Sequence, residues 1–336
     1  MAAGGVTAMR IAELNDIAYV ATELTGALRE RGHDVTLIRP RLIGATLAPA
    51  IKPLVAPARI DDWLFLARKI SRGNYDAVHI HYAYLGIVGV LGRFPFILHC
   101  HGTDLRSSTP FTRPLIAQAL AKARHVFYST PDLAAFVKPQ RPDAEFLPNP
   151  INTDRFAPRP LTHEAADVFV ACALTANKGV ETILAACQQL ARTRPDIRIT
   201  AIAGGEATAA FDAIPNVTLI SPHLRSKRPG ILGRHRVAVG QIYEGAVGMA
   251  ELEALACARP VVTHFTYDHV YDVPPPFVQA NSPGQVAAAV GRLLDDPALA
   301  QTIGASSRDW LVAHHDRRLI AERVETVLKD IVEGRQ

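Results

Sequence analysis

Cysteine is scarce. Cys100, Cys172, Cys187 and Cys257 are the only four in 336 residues, and they stand far apart with no Cys-x-x-Cys pair. That spacing excludes the usual zinc and dithiol motifs, and each thiol lies in an apolar stretch where it serves as a small hydrophobe. A reducing, cytoplasmic setting is the expectation. The apolar run over 83–90 is closed by Gly92 and Arg93, well short of the roughly 18–20 residues that span a bilayer. No transmembrane segment is expected. Residues 1–8 carry neither a basic start nor a long apolar stretch, so they do not read as a signal peptide, and the fold is expected to begin at Met9.

Three further absences bear on chemistry. Residues 9–18 contain no glycine, which removes the Gly-x-Gly-x-x-Gly phosphate turn that an epimerase or dehydrogenase using a dinucleotide places after its first strand. There is no basic tail: the net charge of +4 is spread along the chain, which argues against a nucleic-acid partner and leaves small anionic ligands open. No pair of carboxylates stands in a glycosidase arrangement.

What is present is a regular rhythm. Apolar residues make up 49% and charged residues 20%, enough for a sizeable core, and the length favours two domains over one. Short runs rich in branched residues alternate with amphipathic stretches, the pattern of βα units around parallel sheets. Strands are expected at 9–13, 34–38, 77–81, 96–99, 126–128 and 145–147, then at 168–173, 197–203, 217–220, 237–239 and 260–263. Helices are expected at 20–31, 179–191 and 249–257, and in the tail at 283–294, 297–314 and 317–333. Gly32 reads as the glycine exit of the first helix. Pro148, Pro150, Pro158 and Pro160 crowd one short polar stretch and mark a domain boundary.

Three clusters could carry chemistry. Gly245 and Gly248 precede a helix starting near Met249, whose free N–H groups and dipole suit a diphosphate. Glu253, about one turn in, could accept from ribose hydroxyls. The plainer reading makes this a tight turn with a solvated or capping glutamate. Asn177-Lys178-Gly179 sets a compact positive charge at the mouth of another helix, or simply a surface lysine before a helix-starting glycine. Leu98-His-Cys-His-Gly-Thr-Asp-Leu-Arg106 ends a strand, with His99 and His101 on one face and His79 and His81 nearby. Four histidines so close could form a metal cluster, but no carboxylate or cysteine stands at matching zinc spacing, so no metal is expected; His79 and His125 read as core residues.

The stretch from Gly240 to Val262 resembles the donor-site signature of retaining family-4 glycosyltransferases (glycosyl transferases group 1) of the GT-B fold. There an acidic residue, a glycine turn and Glu-Ala-Met-Ala-x-Gly-x-Pro-Val-Val follow in order. Arg31-Gly-His-Asp-Val35 and the segment from Pro148 to Phe156 resemble the family's first helix exit and interdomain link, so the resemblance covers nearly the whole chain. It implies an α/β architecture of two Rossmann-like doubly wound domains facing across a cleft: 9–158 on the acceptor side, 159–314 for a nucleotide-sugar donor, and a C-terminal helix, 315–336, packing back toward the N-terminal domain.

By resemblance, Glu253 binds the donor ribose, the backbone of Gly248, Met249 and Ala250 binds phosphate, and Lys178 neutralises the diphosphate. His101 lies over the reaction centre and contacts the transferred sugar, while Asp104 acts on the loop or on the histidine. Counting back from Glu253, the family's first acid falls on Gly245, and Glu244, one residue earlier, is its replacement. Ala258 replaces a family glycine. An arginine usual before the lysine is absent, leaving charge to Lys178 and the helix, or to a base such as Arg225. Asn15 and Asp16 occupy the loop that covers the donor or contacts the acceptor, although Asp16 also reads as a plain helix cap. Tyr82 and Arg106 are expected to shape acceptor choice.

The leading expectation is therefore a glycosyltransferase that moves a sugar from a nucleoside-diphosphate sugar to an acceptor hydroxyl with retention. No cofactor or metal is required, the acceptor is a small molecule, a glycan or a lipid-linked group, and the chain is a monomer or homodimer, cytoplasmic or peripheral to the inner membrane face. The other reading is a non-catalytic nucleotide- or sugar-binding protein on the same fold, to which the displaced acid and missing arginine point.

Overall fold

The computed structural model describes residues 8–41, 43–44, 47, 51–161, 166–222 and 227–334. Residues 1–7 and Arg225 lie outside the described residues. The chain divides into two compact units, one of residues 1–150 with 317–336 and one of residues 151–316.

The first unit is built on a parallel sheet of six strands: β1 (Arg10–Leu14), β2 (Asp34–Ile38), β3 (Ala77–His81), β4 (Ile97–Cys100), β5 (His125–Tyr128) and β6 (Glu145–Phe146), in the order β2-β1-β3-β4-β5-β6. Its helices are α1 (Val20–Glu30), α2 (Ala56–Ser71), α3 (Ile87–Gly92), α4 (Thr103–Arg106), α5 (Thr112–Lys122) and α6 (Ala134–Val137). Successive strand side chains point to opposite faces. Leu14, Ile80, Leu98 and Val126 enter the apolar core shared with Leu66, Val88 and Ala119 of α2, α3 and α5. The alternate positions in β1, β3, β4 and β5 include Glu13, His79, His81, His99 and Phe127, all buried. One face of a central sheet thus carries a layer of ionisable side chains where both faces would ordinarily be apolar.

The second unit repeats the plan with β7 (Ala166–Val170), β8 (Ile199–Ile202), β9 (Val217–Ile220), β10 (His235–Val239), β11 (Val261–Thr263) and β12 (Val278–Gln279), ordered β12-β11-β10-β7-β8-β9 and parallel throughout. Around it lie α7 (Val180–Thr193), α8 (Thr208–Asp212), α9 (Arg228–Leu232), α10 (Met249–Ala256), α11 (Pro283–Asp295) and α12 (Pro297–His315). Val170, Ala201, Val239 and Val262 face α7 and α11; Phe169, Ala171, Ala238 and Val261 face α10 and α12. Burial on both faces explains why these strands read as continuous apolar runs.

Local signals account for several ends. Gly32 leaves α1 at φ +94°, and its N–H reaches the Arg29 carbonyl at 3.0 Å. Ser282 and Asp296 cap α11 and α12 before a proline at the first helical position, Asp296 accepting from Leu299 N–H at 2.9 Å.

The expected elements are found within a few residues. The strand expected at 168–173 runs Ala166–Val170 instead, because the chain then turns off the sheet, with Leu174 N–H bonding Gly204 O at 3.0 Å. The two-residue β12 was not expected; it is too short to show a period. The units divide after Pro150 and after Asp316, a few residues from the boundaries at 158 and 314 that the resemblance implies. Ile151 bridges to Asp316 and Phe156 sits in the second unit's core, so residues 151–158 fold with that unit. The C-terminal helix α13 (Arg317–Val332) belongs to the first unit and packs on α1, where Arg31 Nε meets the buried Glu325 at 2.6 Å and Arg317 meets Glu30 at 2.5 Å. No helix among the described residues is long and apolar enough to cross a membrane.

Candidate functional site

In the second unit the chain leaves β10 through residues 240–248 and enters α10. Gly240 has no room for a side chain: a Cβ there would lie 2.6 Å from Glu251 Cγ and 3.0 Å from Thr263 Oγ1. Gly245 sits at φ +66°, and a Cβ would meet Thr266 Oγ1 at 2.4 Å, so both conformation and space demand glycine. Gly248 is the residue before the helix, and it, Met249 and Ala250 are all partly exposed.

Lys178 is held beside the same loop. Ile242 N–H donates to the Lys178 carbonyl at 2.9 Å, Gly179 adopts φ +74° against the Ile242–Tyr243 backbone, and Lys178 Nζ lies 2.9 Å from Glu244 Oε2. Asn177 reaches the other Glu244 oxygen at 3.4 Å. The structure therefore gathers Lys178, Glu244, Gly245 and the start of α10 within one unit.

Glu253 is fully buried, and its Oε2 accepts from Arg228 Nη1 at 2.8 Å. Arg228 opens α9 and was missed by the sequence reading. A lone base at the start of a five-residue helix, 25 residues from its partner, leaves no periodic signal. Glu251 was missed as well. Burial pushes its carboxyl up, opposed by bonds from the backbone N–H groups of Gln241, Glu251 and Gly248 and by the nearby Lys178 charge. An acid in the first helical turn is the signal that could have found it.

In the first unit the corresponding loop follows β4. Gly102 turns at φ +119° and a Cβ there would strike Arg106 Nη1 at 2.5 Å. Asp104 is buried and accepts from Ala83 N–H at 2.7 Å, Gly102 N–H at 2.7 Å and His101 N–H at 3.1 Å. Burial pushes this carboxyl up against those bonds. Asp104 thus grips the loop backbone and leaves the imidazole alone.

His101 is a partly exposed residue; its ring lies tilted against His99 with centroids 4.2 Å apart and meets His81 Nδ1 through its Nε2 at 2.9 Å. His81 Nε2 in turn lies 2.6 Å from Glu13 Oε2, and Glu13 Oε1 is 3.2 Å from His79 Nδ1. Burial lowers the imidazoles of His81, His99 and His101, with the neighbouring rings adding to it. Burial alone would raise Glu13, but His79 and His81 outweigh it and hold the carboxyl down to about 2. His79, His81 and His99 each bring a ring nitrogen within 4.8 Å of the others, a set compact enough to hold a metal ion. His125 is buried in β5, 3.7 Å from Glu145.

The remaining expected residues are engaged within the unit. Asn15, at φ +73°, donates from Nδ2 to His81 O at 3.1 Å. Asp16 accepts from Thr22 N–H at 3.2 Å, in the first turn of α1, and from Arg39 at 2.9 Å. Arg106 Nε donates to Asp132 at 2.8 Å. Tyr82, at φ +93°, shares a 2.8 Å bond with Thr103 Oγ1, and burial pushes its phenol up. A positive φ on so bulky a residue at a strand's carboxyl end is the kind of strain that gathers at functional loops.

Comparison with known proteins agrees with this division. Residues 17–155 match the Glycosyltransferase Family 4 profile and residues 165–296 match the Glycosyl transferases group 1 profile. A GDP-mannose-dependent alpha-(1-6)-phosphatidylinositol monomannoside mannosyltransferase of Mycolicibacterium smegmatis is 26% identical over 221 residues, 57% of this chain and 58% of the relative's length. The sucrose-phosphate synthase of Thermosynechococcus elongatus superposes with a TM-score of 0.74 at 18% identity, covering 97% of this chain and all of that one. Anabaena HepE, solved with UDP and glucose, superposes with a TM-score of 0.72 at 12% identity over 96% of this chain and 99% of its own. The fold is GT-B.

Proposed function

From the premise that this chain is a glycosyltransferase of the GT-B fold, we propose that it transfers a sugar from a nucleoside-diphosphate sugar to an acceptor hydroxyl with retention of anomeric configuration. The observation that carries the reading is Lys178, whose ammonium stands 2.9 Å from Glu244 beside the partly exposed start of α10. An ammonium held beside the loop that leads into a helix N-terminus forms an anion cradle. In the reaction the bond from the anomeric carbon to the diphosphate breaks, and the electron pair leaves with the phosphate oxygen. Lys178 and the backbone N–H groups of Met249 and Ala250 stabilise that charge. The acceptor oxygen attacks from the face the diphosphate leaves, and its proton passes to a phosphate oxygen. No protein base and no metal is needed, so the catalysis is electrostatic.

Glu244 holds the ammonium in the loop before a donor arrives, and phosphate would compete for it. Glu253 takes the donor ribose in this reading, meeting it alongside or in place of Arg228, whose guanidinium supplies the second positive charge absent before Lys178. His101 contacts the transferred sugar. Asn15, Asp16, Tyr82 and Arg106 shape the acceptor side, and the mannosyltransferase relative makes GDP-mannose the first donor to try and a lipid-linked acceptor the first class.

The second reading, a non-catalytic nucleotide or sugar binder, is favoured by the occupation of Glu253 by Arg228. A thermal-shift screen of UDP, GDP, ADP and TDP sugars identifies the donor, since a ligand that binds only the folded state raises its apparent stability. NMR of the product then reports the anomer. Binding with no donor turnover, even slow hydrolysis, would establish the binder instead.

A further inference from the structure

The layer of Glu13, His79, His81 and His99 on the first unit's sheet has no part in the diphosphate cradle, yet it ends at His101. Two of its contacts form an unbroken chain: Glu13 Oε2 to His81 Nε2 at 2.6 Å, and His81 Nδ1 to His101 Nε2 at 2.9 Å. The sheet sets this alignment, because Glu13 pairs with His79 across β1 and β3, and His81 pairs with His99 across β3 and β4.

We propose that Glu13 and His81 are positioning residues for sugar transfer: through this chain they fix His101 in the tautomer whose Nε2 carries the hydrogen and whose Nδ1 is a bare acceptor. The inference rests on the reading of His101 as the residue that contacts the transferred sugar.

The logic is that of donors and acceptors. An ionised carboxylate can only accept, so His81 donates from Nε2. A neutral imidazole has one donor nitrogen and one acceptor nitrogen, which makes His81 Nδ1 the acceptor and obliges His101 to donate from Nε2. Nδ1 of His101 is then left with a lone pair. Hydrogen bonds from His79 and His81 favour the ionised Glu13, and burial lowers the imidazoles of His81 and His101 toward their neutral forms, so the chain has one low-energy arrangement. Were Glu13 neutral, it could donate, and every hydrogen in the chain would reverse.

The consequence is specificity. A bare Nδ1 takes a sugar O–H as its donor and offers nothing to a carboxylate or phosphate oxygen. A sugar lacking that hydroxyl leaves a desolvated acceptor unpaired, which sites of this kind reject strongly. Asp104 contributes separately, by holding the His101 backbone.

The test uses the full chain labelled with ¹⁵N-histidine. Long-range ¹H–¹⁵N correlation is expected to show His101 protonated at Nε2. Glu13→Gln can present an amide N–H to His81 and so reverse the chain. It should give His101 a population protonated at Nδ1 and lower kcat on the order of ten- to a hundred-fold, with the donor KM changed less than about threefold. His79→Gln removes only the other partner of Glu13 and should leave the His101 tautomer as it was. A wild-type His101 protonated at Nδ1 overturns the proposal, as does a folded Glu13→Gln protein whose kcat stays within about twofold of wild type. If Glu13→Gln does not fold, the wild-type tautomer decides alone. Failure of the parent reading looks different: His101→Ala would then retain full transfer whatever the tautomer.

Discussion

Acid should destabilise the first unit between pH 7 and pH 5 through its buried histidines. His99 is fully buried and neither of its ring nitrogens has a hydrogen-bond partner among the described residues. Burial, followed by His101, His81 and His79, sets its imidazole well below the ordinary 6.5. A group whose folded value is depressed contributes stability that is complete above its unfolded value and is lost as pH falls, because the unfolded chain binds the proton first. At pH 5 the unfolded chain gains about 2 kcal/mol from protonating this one residue. Burial depresses His101 too, so it adds to a loss that is already a sizeable part of a typical 5–15 kcal/mol. Glu13 adds a second loss below its ordinary 4.5, on the way down to about 2. The assay is urea unfolding at pH 7, 6 and 5 followed by Trp63 fluorescence in a Trp310→Phe background, since these two tryptophans are the only ones and lie in different units. A stability that stays flat between pH 7 and pH 5 would refute the reasoning. So would an unchanged slope in His99→Leu, which should flatten it.

Other outcomes follow from the same contacts. Arg228→Ala takes one hydrogen-bond donor from the buried Glu253 and should cost about 1–3 kcal/mol of stability, measured by urea unfolding; a saturating nucleoside diphosphate sugar should recover part of it if ribose hydroxyls meet Glu253. Gly245→Ala puts a Cβ on a left-handed backbone against Thr266, so donor affinity in a calorimetric titration should fall, and Thr266→Ala should restore part of it. Asp104→Ala strands the buried N–H groups of Ala83 and Gly102 at about 1–3 kcal/mol each and frees that of His101, lowering the melting temperature and slowing transfer together.

Much of the architecture was legible because parallel strands buried on both faces are short apolar runs, and each helix between them repeats at its own period. The Asp296 cap, the Gly32 exit and the glycines at 245 and 248 carry their geometry in their own chemistry. The unit boundary was harder, since Phe156 and Ile151 are committed to the second unit by contacts more than a hundred residues away. The same limit hid most of the charge partners. Arg228 meets Glu253 only through the packing of α9 on α10. Glu13 was invisible as a functional candidate because a single acid in a strand says nothing of what stands across from it. The histidines at 79, 81 and 99 could be placed on common faces by alternation, but only the pairing of β1 with β3 brings Glu13 to them.

The central claim is that Lys178 and the start of α10 stabilise a departing nucleoside diphosphate. It is tested most directly by measuring nucleoside diphosphate release from the donor that the thermal-shift screen selects, for the wild-type chain and for Lys178→Ala side by side. Release by the wild type, with a loss on the order of a hundred- to a thousand-fold in a Lys178→Ala protein that still folds, is the predicted result. Equal release from the two proteins, or none from the wild type with any donor, would contradict it.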